Sequence, residues 1–397
     1  MTMLFITGMF RSGTTTLARA LNAHPMMAIA ADPFTELLKA LRSEEAASLG
    51  LSVPVMGPLG NYYFESEGQA LLEQLLNRTT LDREFTIWDR ERLLEILVPR
   101  CETYSGKLVS MLNMMHGSSY REVLDSLLVL VNEAYGNSQT KVVGFKEVWT
   151  NEFIPALART YPDARFLTVC RDPRAVCASK NIREDRYPWT FMSTQWRKLA
   201  ALDYMFQHDP LLKDRIYSIR YEDYITEPEK TTRKICKFLE IDWHPDIADH
   251  TRYKDGNGNP WVQNTAYGNG SAGFDTAALE RWRNTLSQRE IELIEMMCGS
   301  EMELRGYECV YTPVVPAGDM LLNPPCIKGE EQAAWMRDII PNNPASMTID
   351  VAHESIRHAL IKTDDAHRAN VPEEVVKSAF LDRRILDAII NGKKVKG

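Results

Sequence analysis

A run of six residues near the start of the chain has the composition of an anion-binding loop. Residues 11–16 read RSGTTT, and they lie between the apolar run Met3 to Ile6 and a segment with leucine and alanine at helical spacing. Arginine can donate two parallel hydrogen bonds to a tetrahedral anion. Backbone N–H groups at the start of a helix add further donors and a positive dipole. The pattern therefore predicts a strand, a phosphate-binding loop and a helix.

The loop differs from the ATP-binding P-loop at one informative position. That motif reads G-x-x-x-x-G-K-[ST], and Gly8 and Gly13 keep its glycine spacing, but Thr14 stands in place of the lysine. Arg11 supplies a different cation two residues before Gly13. An ordinary strand-to-helix turn is the alternative explanation, but the density of glycine, arginine and hydroxyl groups favours a phosphate-binding loop.

Composition argues against several functional classes. The 397 residues include 46 lysines and arginines against 54 aspartates and glutamates, a net charge of −8, which argues against general nucleic-acid binding. Seven scattered cysteines without a C-x-x-C pair favour reduced thiols in the cytoplasm over a zinc site or disulfide framework. Because the first apolar run is cut by Arg11, we expect no signal peptide. We also expect no membrane span, since no apolar stretch is long enough.

The order of predicted elements indicates an α/β fold. Strands alternate with helices at the start of the chain and again from Lys141, which is typical of βαβ units and a parallel sheet. We expect one domain over residues 1–312, interrupted by a mainly helical insertion over residues 35–140 that would bind an acceptor. A linker and a helical extension would follow over residues 313–397. The extension shows no readable chemistry, and packing, homo-oligomer contact or capping of the site are its expected roles.

Candidate site residues fall near the predicted strand ends. Arg171 follows the strand RFLTVC, and Lys146 and Tyr221 lie near the ends of two others. Asp32 precedes a proline, so we expect it on an extended segment at the end of the second strand. Ligands of parallel sheets bind at the carboxyl ends of strands. In RDPRAVCAS the turn predicts a helix from Pro173 to about residue 181, with Ser179 two turns along it.

Four motifs together resemble the PAPS-dependent sulfotransferase family, particularly its bacterial, carbohydrate and tyrosylprotein branches. They are FRSGTTTL, RDPRAVCAS, IRYEDY and ERWRNTL, and the resemblance covers roughly residues 3–286. It implies a three-layer, P-loop-like parallel sheet flanked by helices. It also implies transfer of a sulfuryl group from PAPS to a hydroxyl, or less readily an amine, of a small-molecule or carbohydrate acceptor. PAP would be the product, and no metal would be required.

The resemblance also assigns roles to individual residues. Arg11 would contact the sulfuryl group, Arg171 and Ser179 would hold the 3′-phosphate, and Tyr221 would meet the adenine. A looser match places Ser271 and Arg283 in a late loop that closes over the nucleotide. The residues implied to contact the 5′-phosphate of the donor are Ser12, Gly13, Thr14, Thr15 and Thr16.

A general base must accept the proton of the acceptor. Asp32 stands where related enzymes carry a glutamate, and it is the expected base, with Glu147, His116 and His24 as alternatives. Lys146 resembles a lysine that contacts the sulfuryl group in several members of the family. An ion pair with a neighbour such as Asp32 or Glu147 is the alternative role of this lysine.

Two other functional classes stay open at this point. A P-loop kinase or NTPase is the runner-up, disfavoured by the missing lysine, and a nucleotide-binding module without catalytic activity is the third possibility. The identity of the acceptor is not readable from the sequence. An aromatic group in the insertion could line an acceptor pocket or simply belong to the core. It consists of Tyr62, Tyr63, Phe64 and Trp88.

Overall fold

The structure is a computed structural model, and it describes residues 1–51, 62–148, 150–179, 189–261, 274–313 and 350–396. The chain divides into two compact units. The first consists of Met1–Met56, Glu73–Arg171 and Gln207–Thr276, and the second of Gly57–Leu72, Asp172–Phe206 and Ala277–Gly397. The domain boundary at residues 312 and 313 that the sequence predicts divides the chain differently, and it stays a prediction.

A five-stranded parallel sheet forms the centre of the first unit. Its strands are β1 (Thr2–Gly8), β2 (Met27–Ala31), β3 (Val142–Lys146), β4 (Arg165–Cys170) and β5 (Ile216–Arg220). They lie in the order β2-β3-β1-β4-β5, and each neighbouring pair is parallel. Parallel strands need long crossover connections, which helices provide. The sheet confirms the α/β fold predicted from the alternation of strands and helices.

Strands β1 to β4 are mostly apolar and buried, as expected for a parallel sheet that is covered on both faces. All five residues of β2 and all five residues of β3 are buried. The ring of Phe5 on β1 packs against Phe145 and Phe166 on the neighbouring strands, with centroid distances of 5.0 and 5.7 Å. In the register of the sheet, Lys146 lies opposite both Ile6 and Ala31. The carboxyl ends of β1, β2 and β3 therefore meet at one edge.

Helices flank the sheet within the first unit, and other helices make up the second unit. In the described ranges they are α1 (Thr14–Asn22), α2 (Thr35–Ser48), α3 (Ser66–Asn77), α4 (Arg90–Tyr104), α5 (Tyr120–Tyr135), α6 (Ile154–Thr160), α7 (Pro173–Cys177), α8 (Trp189–Gln207), α9 (Tyr221–Thr226), α10 (Pro228–Phe238), α11 (Trp282–Thr285), α12 (Gln288–Leu304), α13 (Val351–Lys362), α14 (Asp365–Arg368), α15 (Glu373–Phe380) and α16 (Arg383–Lys396). Short 3-10 helices lie at Tyr62–Phe64, Gly106–Met114, Asn151–Phe153, Pro245–Ala248, His250–Arg252 and Thr276–Leu279. None of the helices described here has the length and apolar content required to cross a membrane.

The last strand is shorter than the sequence predicts. The pattern IYSIRYED suggests a strand that includes Tyr221, but β5 ends at Arg220 and Tyr221 is the first residue of α9. Glu222 and Asp223 occupy the first turn of this helix, where negative charge is favourable to the helix dipole. The two acidic residues therefore favour a helix start over continuation of the strand.

Buried ion pairs connect the helices of the second unit. Arg197 on α8 pairs with Glu354 on α13 at 2.6 Å, and Arg357 on α13 pairs with Glu301 on α12 at 2.9 Å. Each of these four side chains is at most 3% exposed. Because α13 belongs to the C-terminal extension, these contacts support packing as a role of that extension. Formation of a homo-oligomer stays a prediction.

Replacement of Arg357 by alanine should lower the free energy of unfolding by about 3–5 kcal/mol, because it leaves buried carboxylates without their cation. Arg357 donates to both carboxylate oxygens of Glu301 and lies 3.4 Å from Glu354. Denaturant unfolding followed by circular dichroism measures the loss. Arg289→Ala is the matched control, since Arg289 pairs with Glu292 at an exposed position and its loss should cost less than about 1 kcal/mol. Equal losses in the two variants would contradict the structural role of Arg357.

Candidate functional site

The loop between β1 and α1 has a backbone that requires glycine at two positions. Gly13 has a φ of 79°, in the left-handed region, and a Cβ at this position would lie 2.3 Å from ring atoms of Tyr221. A Cβ on Gly8 would lie 2.3 Å from the carbonyl oxygen of Val169. Arg11, within the loop, also has a positive φ of 66°. The loop therefore forms a tight turn that places Gly13 directly before α1 and against Tyr221.

The first turn of α1 has the features of an anion site. Its leading N–H groups, on residues 14–16, have no acceptor within the helix, and no acidic residue lies in this turn. The hydroxyl of Ser12 is buried and has no hydrogen-bond partner among the residues described. Buried polar atoms normally have a partner, so an oxygen of a ligand would satisfy this one. The loop thus fits a phosphate or phosphosulfate group.

Lys146 connects this loop to the end of β2. It is the last residue of β3, and its side chain is fully buried. Its Nζ donates to Thr15 Oγ1 at 3.0 Å and to Asp32 Oδ2. The structure therefore brings together the two predicted catalytic residues and a threonine of the anion loop. It also contains the ion pair that the sequence leaves as the alternative role of Lys146, so this contact is compatible with either role.

The backbone of Asp32 differs from the prediction. Asp32 does lie directly after β2, but its φ is 50°, in the left-handed region, so the predicted extended conformation is wrong. Aspartate is one of the few residues that adopt this conformation readily. The N–H of Asp32 donates to the carbonyl oxygen of Lys146 at 2.6 Å. This bond to β3 turns the chain at the strand end and aims the carboxylate toward Lys146.

Arg100 is a charged neighbour of Asp32 that the sequence analysis missed. Its Nε donates to the carbonyl oxygen of Asp32 at 3.1 Å, and one terminal nitrogen lies 3.6 Å from Asp32 Oδ1. The guanidinium lies over the ring of Tyr104, 4.5 Å from the centroid. Arg100 belongs to α4 in the insertion, and no motif marks it. Only the packing of α4 against the end of β2 reveals it.

Glu147 accepts hydrogen bonds from the segment that follows Asp32. It is fully buried, and its two carboxylate oxygens accept hydrogen bonds from the N–H of Phe34 and the hydroxyl of Thr35. Burial, followed by the negative charge of Asp32, raises the pKa of Glu147 above its ordinary value. Both oxygens therefore serve to hold the chain between β2 and α2.

The two histidines considered as alternative bases contact backbone groups away from the anion loop. Nε2 of His24 lies 2.8 Å from the carbonyl oxygen of Asp242, and its Nδ1 accepts from the N–H of Met26 at 3.1 Å. Burial lowers the pKa of His24. His116 is exposed, with Nδ1 3.1 Å from the carbonyl oxygen of Met114. None of these contacts involves Asp32 or the anion loop.

Arg171 and Tyr221 meet at the anion loop. Arg171 directly follows β4, donates to the carbonyl oxygen of Arg11 at 2.9 Å, and lies over the ring of Tyr221 at 4.5 Å from its centroid. Tyr221 in turn packs against Gly13. Burial raises the pKa of Tyr221 above its ordinary value. Residues that follow three different strands, β1, β4 and β5, thus form one cluster.

The remaining predicted contacts lie in the second unit or outside the described residues. The predicted helix after Arg171 ends at Cys177, so Ser179 lies beyond it rather than two turns along it. The N–H of Ser179 donates to the carbonyl oxygen of Val176, three residues earlier, and this tighter turn ends the helix. Arg283 is half exposed, pairs with Glu280, and lies over the ring of Trp282. Ser271 falls outside the described residues.

The aromatic group predicted in the insertion divides between two environments. Tyr63 and Phe64 are buried in the second unit, where Lys198 lies 5.2 Å from the ring centroid of Tyr63 and Arg197 lies 4.9 Å from that of Phe64. The indole nitrogen of Trp88, in the first unit, donates to the hydroxyl of Ser43 at 3.2 Å. The contacts of Tyr63 and Phe64 are those of core residues.

More than half of the chain matches one known protein family. The family is the sulfotransferase family, and its model matches residues 4–245. The matched region contains the anion loop, Asp32, Lys146, Arg171 and Tyr221. The match ends before Arg283 and before the C-terminal helices.

Comparisons with individual proteins give similar results. Carbohydrate sulfotransferase 1 of Danio rerio is 23% identical over 354 residues, which cover 79% of this chain and 79% of that protein. The protein-tyrosine sulfotransferase of Drosophila melanogaster is 30% identical over 100 residues, which cover 23% of this chain and 20% of that protein. Among solved structures, the sulfotransferase domain of the Synechococcus PCC 7002 olefin synthase is 17% identical, with a TM-score of 0.45, and the match covers 78% of this chain and 95% of that chain.

Proposed function

Because this chain belongs to the sulfotransferase family, it is a PAPS-dependent sulfotransferase, and we propose that its acceptor is a hydroxyl group of a carbohydrate. The carbohydrate sulfotransferase of Danio rerio aligns with 79% of the chain. The tyrosine sulfotransferase of Drosophila melanogaster aligns with 23% of it. The longer alignment supports a carbohydrate over a tyrosine side chain. A hydroxyl, or less readily an amine, of another small molecule is the wider class of acceptor.

The donor carries a phosphosulfate and a 3′-phosphate, and we propose a separate anion site for each. The loop and the first turn of α1 would hold the phosphosulfate, with Arg11 at the sulfuryl group. Arg171 would hold the 3′-phosphate, and Tyr221, which lies beside it, would contact the adenine. The unpartnered hydroxyl of Ser12 supports the first site. The roles of Ser179, Ser271 and Arg283 stay predictions.

One observation carries the proposed mechanism: Lys146 Nζ contacts both Thr15 of the donor loop and the carboxylate of Asp32. The acceptor oxygen would attack sulfur in line with the bond to the phosphate oxygen. A new S–O bond forms as the old one breaks, and PAP leaves. Arg11 and Lys146 would stabilise the charge that develops on the leaving oxygen. The proton of the acceptor hydroxyl would pass to Asp32.

We propose Asp32 rather than Glu147 as the base. A base needs a carboxylate oxygen that can accept a proton from the acceptor. Both oxygens of Glu147 are occupied by Phe34 and Thr35. Asp32 Oδ1 has no hydrogen-bond partner within the described residues, with Arg100 3.6 Å away. In the described part of the chain, Asp32 thus keeps one carboxylate oxygen without a hydrogen bond, whereas Glu147 has none, which makes Asp32 the better candidate for the base.

The acceptor class is tested by incubating the purified chain with radiolabelled PAPS and two acceptor panels. One panel contains oligosaccharides with free hydroxyl groups, and the other contains tyrosine peptides. We expect label on an oligosaccharide and an equal amount of PAP. Label confined to the peptides would overturn the carbohydrate proposal. Tight PAP binding without transfer to either panel would instead favour a nucleotide-binding module.

Thermal unfolding tests the donor class independently of the acceptor. We expect PAP to raise the Tm and ATP with Mg²⁺ to have little effect, because Thr14 replaces the lysine that ATP-binding loops use. Family membership already disfavours the kinase or NTPase that was the runner-up. Stabilisation by ATP with Mg²⁺ alone would contradict the PAPS assignment.

Replacing Arg171 with alanine should weaken PAP binding by about 10- to 100-fold, the effect of losing charge-assisted hydrogen bonds to one phosphate. Isothermal titration calorimetry measures the change in Kd. Arg165→Ala is the matched control and should leave the Kd unchanged. Arg165 is the first residue of β4, at the end of the strand away from Arg171, and it pairs with the exposed Glu240. An unchanged Kd in the Arg171 variant would remove this residue from the 3′-phosphate site.

We also propose a cytoplasmic location, which follows from the scattered cysteines. Of the six cysteines in the described ranges, all but Cys309 are buried. Lysis of cells directly into denaturant that contains an alkylating reagent, followed by mass measurement of the purified chain, tests the proposal. Seven alkylatable thiols are expected after unfolding in the presence of the reagent. A disulfide-bonded pair would overturn it.

A further inference from the structure

We propose that Arg100 is a positioning residue for Asp32. Arg100 holds Asp32 at its carbonyl oxygen and at its carboxylate, while Lys146 acts on the donor. The proposal rests on the proposed function, because it assumes that Asp32 is the base. Arg100 lies on α4 in the insertion, outside the four sequence motifs. Arg100 contacts neither the anion loop nor Lys146 through any hydrogen bond or ion pair in the described residues.

The first argument concerns the backbone of Asp32. A φ of 50° is uncommon even for aspartate, which tolerates it better than most residues, so hydrogen bonds from its surroundings help to hold the residue in this conformation. The N–H of Asp32 is bound by Lys146 of β3, and its carbonyl oxygen is bound by Nε of Arg100 on α4. The two bonds come from different elements. Arg100 therefore supplies one of the two polar contacts that fix the turn carrying the carboxylate.

The second argument concerns the two carboxylate oxygens of Asp32. Oδ2 accepts from Lys146, whose side chain is fully buried and also contacts the donor loop at Thr15. Oδ1 faces Arg100, whose side chain is 25% exposed. In the proposed mechanism Lys146 also acts on the transferring group, so its charge is shared between that group and Asp32. Arg100 can then keep the carboxylate in place from the other side.

Arg100 is itself held in a defined position. Its guanidinium lies on the ring of Tyr104, and a terminal nitrogen lies 3.5 Å from the hydroxyl of Thr35. Burial opposes its charge, but the carboxylates of Glu147 and Asp32 outweigh burial and raise the pKa of Arg100. Its charge is therefore permanent over the working pH range.

The charges that face Asp32 come from several elements. Lys146 on β3, Arg100 on α4 and Arg19 on α1 are basic, and Glu147 after β3 is a carboxyl group whose pKa is raised by burial. Removing one of these positive charges favours the protonated form of a nearby carboxylate. The loss of Arg100 should therefore move the acid limb of the kcat/KM profile to higher pH.

The test compares Arg100→Gln and Arg100→Lys with the wild-type chain. In Arg100→Gln we expect kcat to fall about 10-fold and the acid limb of the kcat/KM profile to rise by about one pH unit. Arg100→Lys should return the limb toward its wild-type position, because it restores the charge, but recover kcat only in part, because it lacks the planar fork of arginine. The Kd of PAP should not change.

Arg92→Gln is the matched control, since Arg92 lies on the same helix and contacts Trp88 and the carbonyl oxygen of Ile87. It should leave kcat and the pH profile unchanged. A fall in Tm of Arg100→Gln without a shift of the acid limb would overturn the proposal, as would the same shift in Arg92→Gln. If Asp32→Asn keeps its rate, the proposed assignment of Asp32 as the base fails instead, and the role of Arg100 fails with it. Loss of activity in Asp32→Asn with an unshifted Arg100→Gln profile overturns only the role of Arg100.

Discussion

Replacing Asp32 with asparagine should lower kcat by about 10²- to 10⁴-fold, the range that a general base contributes. Asparagine tolerates the left-handed conformation of residue 32, and its side-chain oxygen can still accept a hydrogen bond from Lys146. It cannot accept the proton of the acceptor hydroxyl. The fold and the Kd of PAP should therefore be retained while turnover is lost. Steady-state assays at saturating PAPS measure kcat, and calorimetry measures PAP binding.

The control for this variant is Asp82→Asn. Asp82 is exposed and pairs with Arg121 on the surface, so its loss should leave kcat unchanged. A near-normal rate in Asp32→Asn would place the base elsewhere, and Glu147→Gln would be the next variant to assay. A reduced rate together with a weaker Kd for PAP would indicate that residue 32 supports the donor site rather than the proton transfer.

The donor loop and its neighbours could be predicted because the information lies in short segments. The spacing of Gly8 and Gly13, the position of Arg11 and the apolar strand before them specify a tight turn into a helix. Parallel strands end at one edge of a sheet, so Lys146 and Arg171 could be assigned to that edge from the sequence. The observed contacts of these residues agree with this reasoning.

The surroundings of Asp32 could not be predicted in the same way. The proline after it disfavours the right-handed helical conformation, but the choice between extended and left-handed backbone depends on bonds to Lys146 and Arg100. Arg100 is 68 residues away, in a helix without a motif. The role of Glu147 also depends on where Phe34 and Thr35 lie. These contacts are properties of tertiary packing.

Two element boundaries show a different limit of sequence patterns. Tyr221 follows a strand pattern without a break, yet two acidic residues after it favour a helix start. The helix from Pro173 has a clear N-terminal signal, with the Asp172 side chain accepting from the N–H of Arg174, but no signal in the sequence marks its end at Cys177. Start signals are local, whereas the length of a helix depends on what its turns pack against.

Replacing Lys146 with alanine should lower kcat by about 10²- to 10³-fold, the effect of removing a charge that stabilises a developing anion. Lys146 contacts a hydroxyl of the donor loop and the candidate base, so its loss affects both partners of the reaction. PAP lacks the sulfuryl group, and Arg171 and the loop backbone remain, so the Kd of PAP should change little. Single-turnover assays with preloaded PAPS measure the chemical step directly.

Two further variants separate charge from packing. Lys146→Met fills most of the buried volume without the ammonium group, and it should lose activity to the same extent as the alanine variant while unfolding at a higher temperature. Lys141→Ala removes an exposed lysine just before the same strand and should behave as wild type. Recovery of activity in Lys146→Met would mean that the residue acts through packing. In that case the ion pair with Asp32 would be structural, and the charge on the leaving oxygen would have to be stabilised by Arg11 and the first turn of α1.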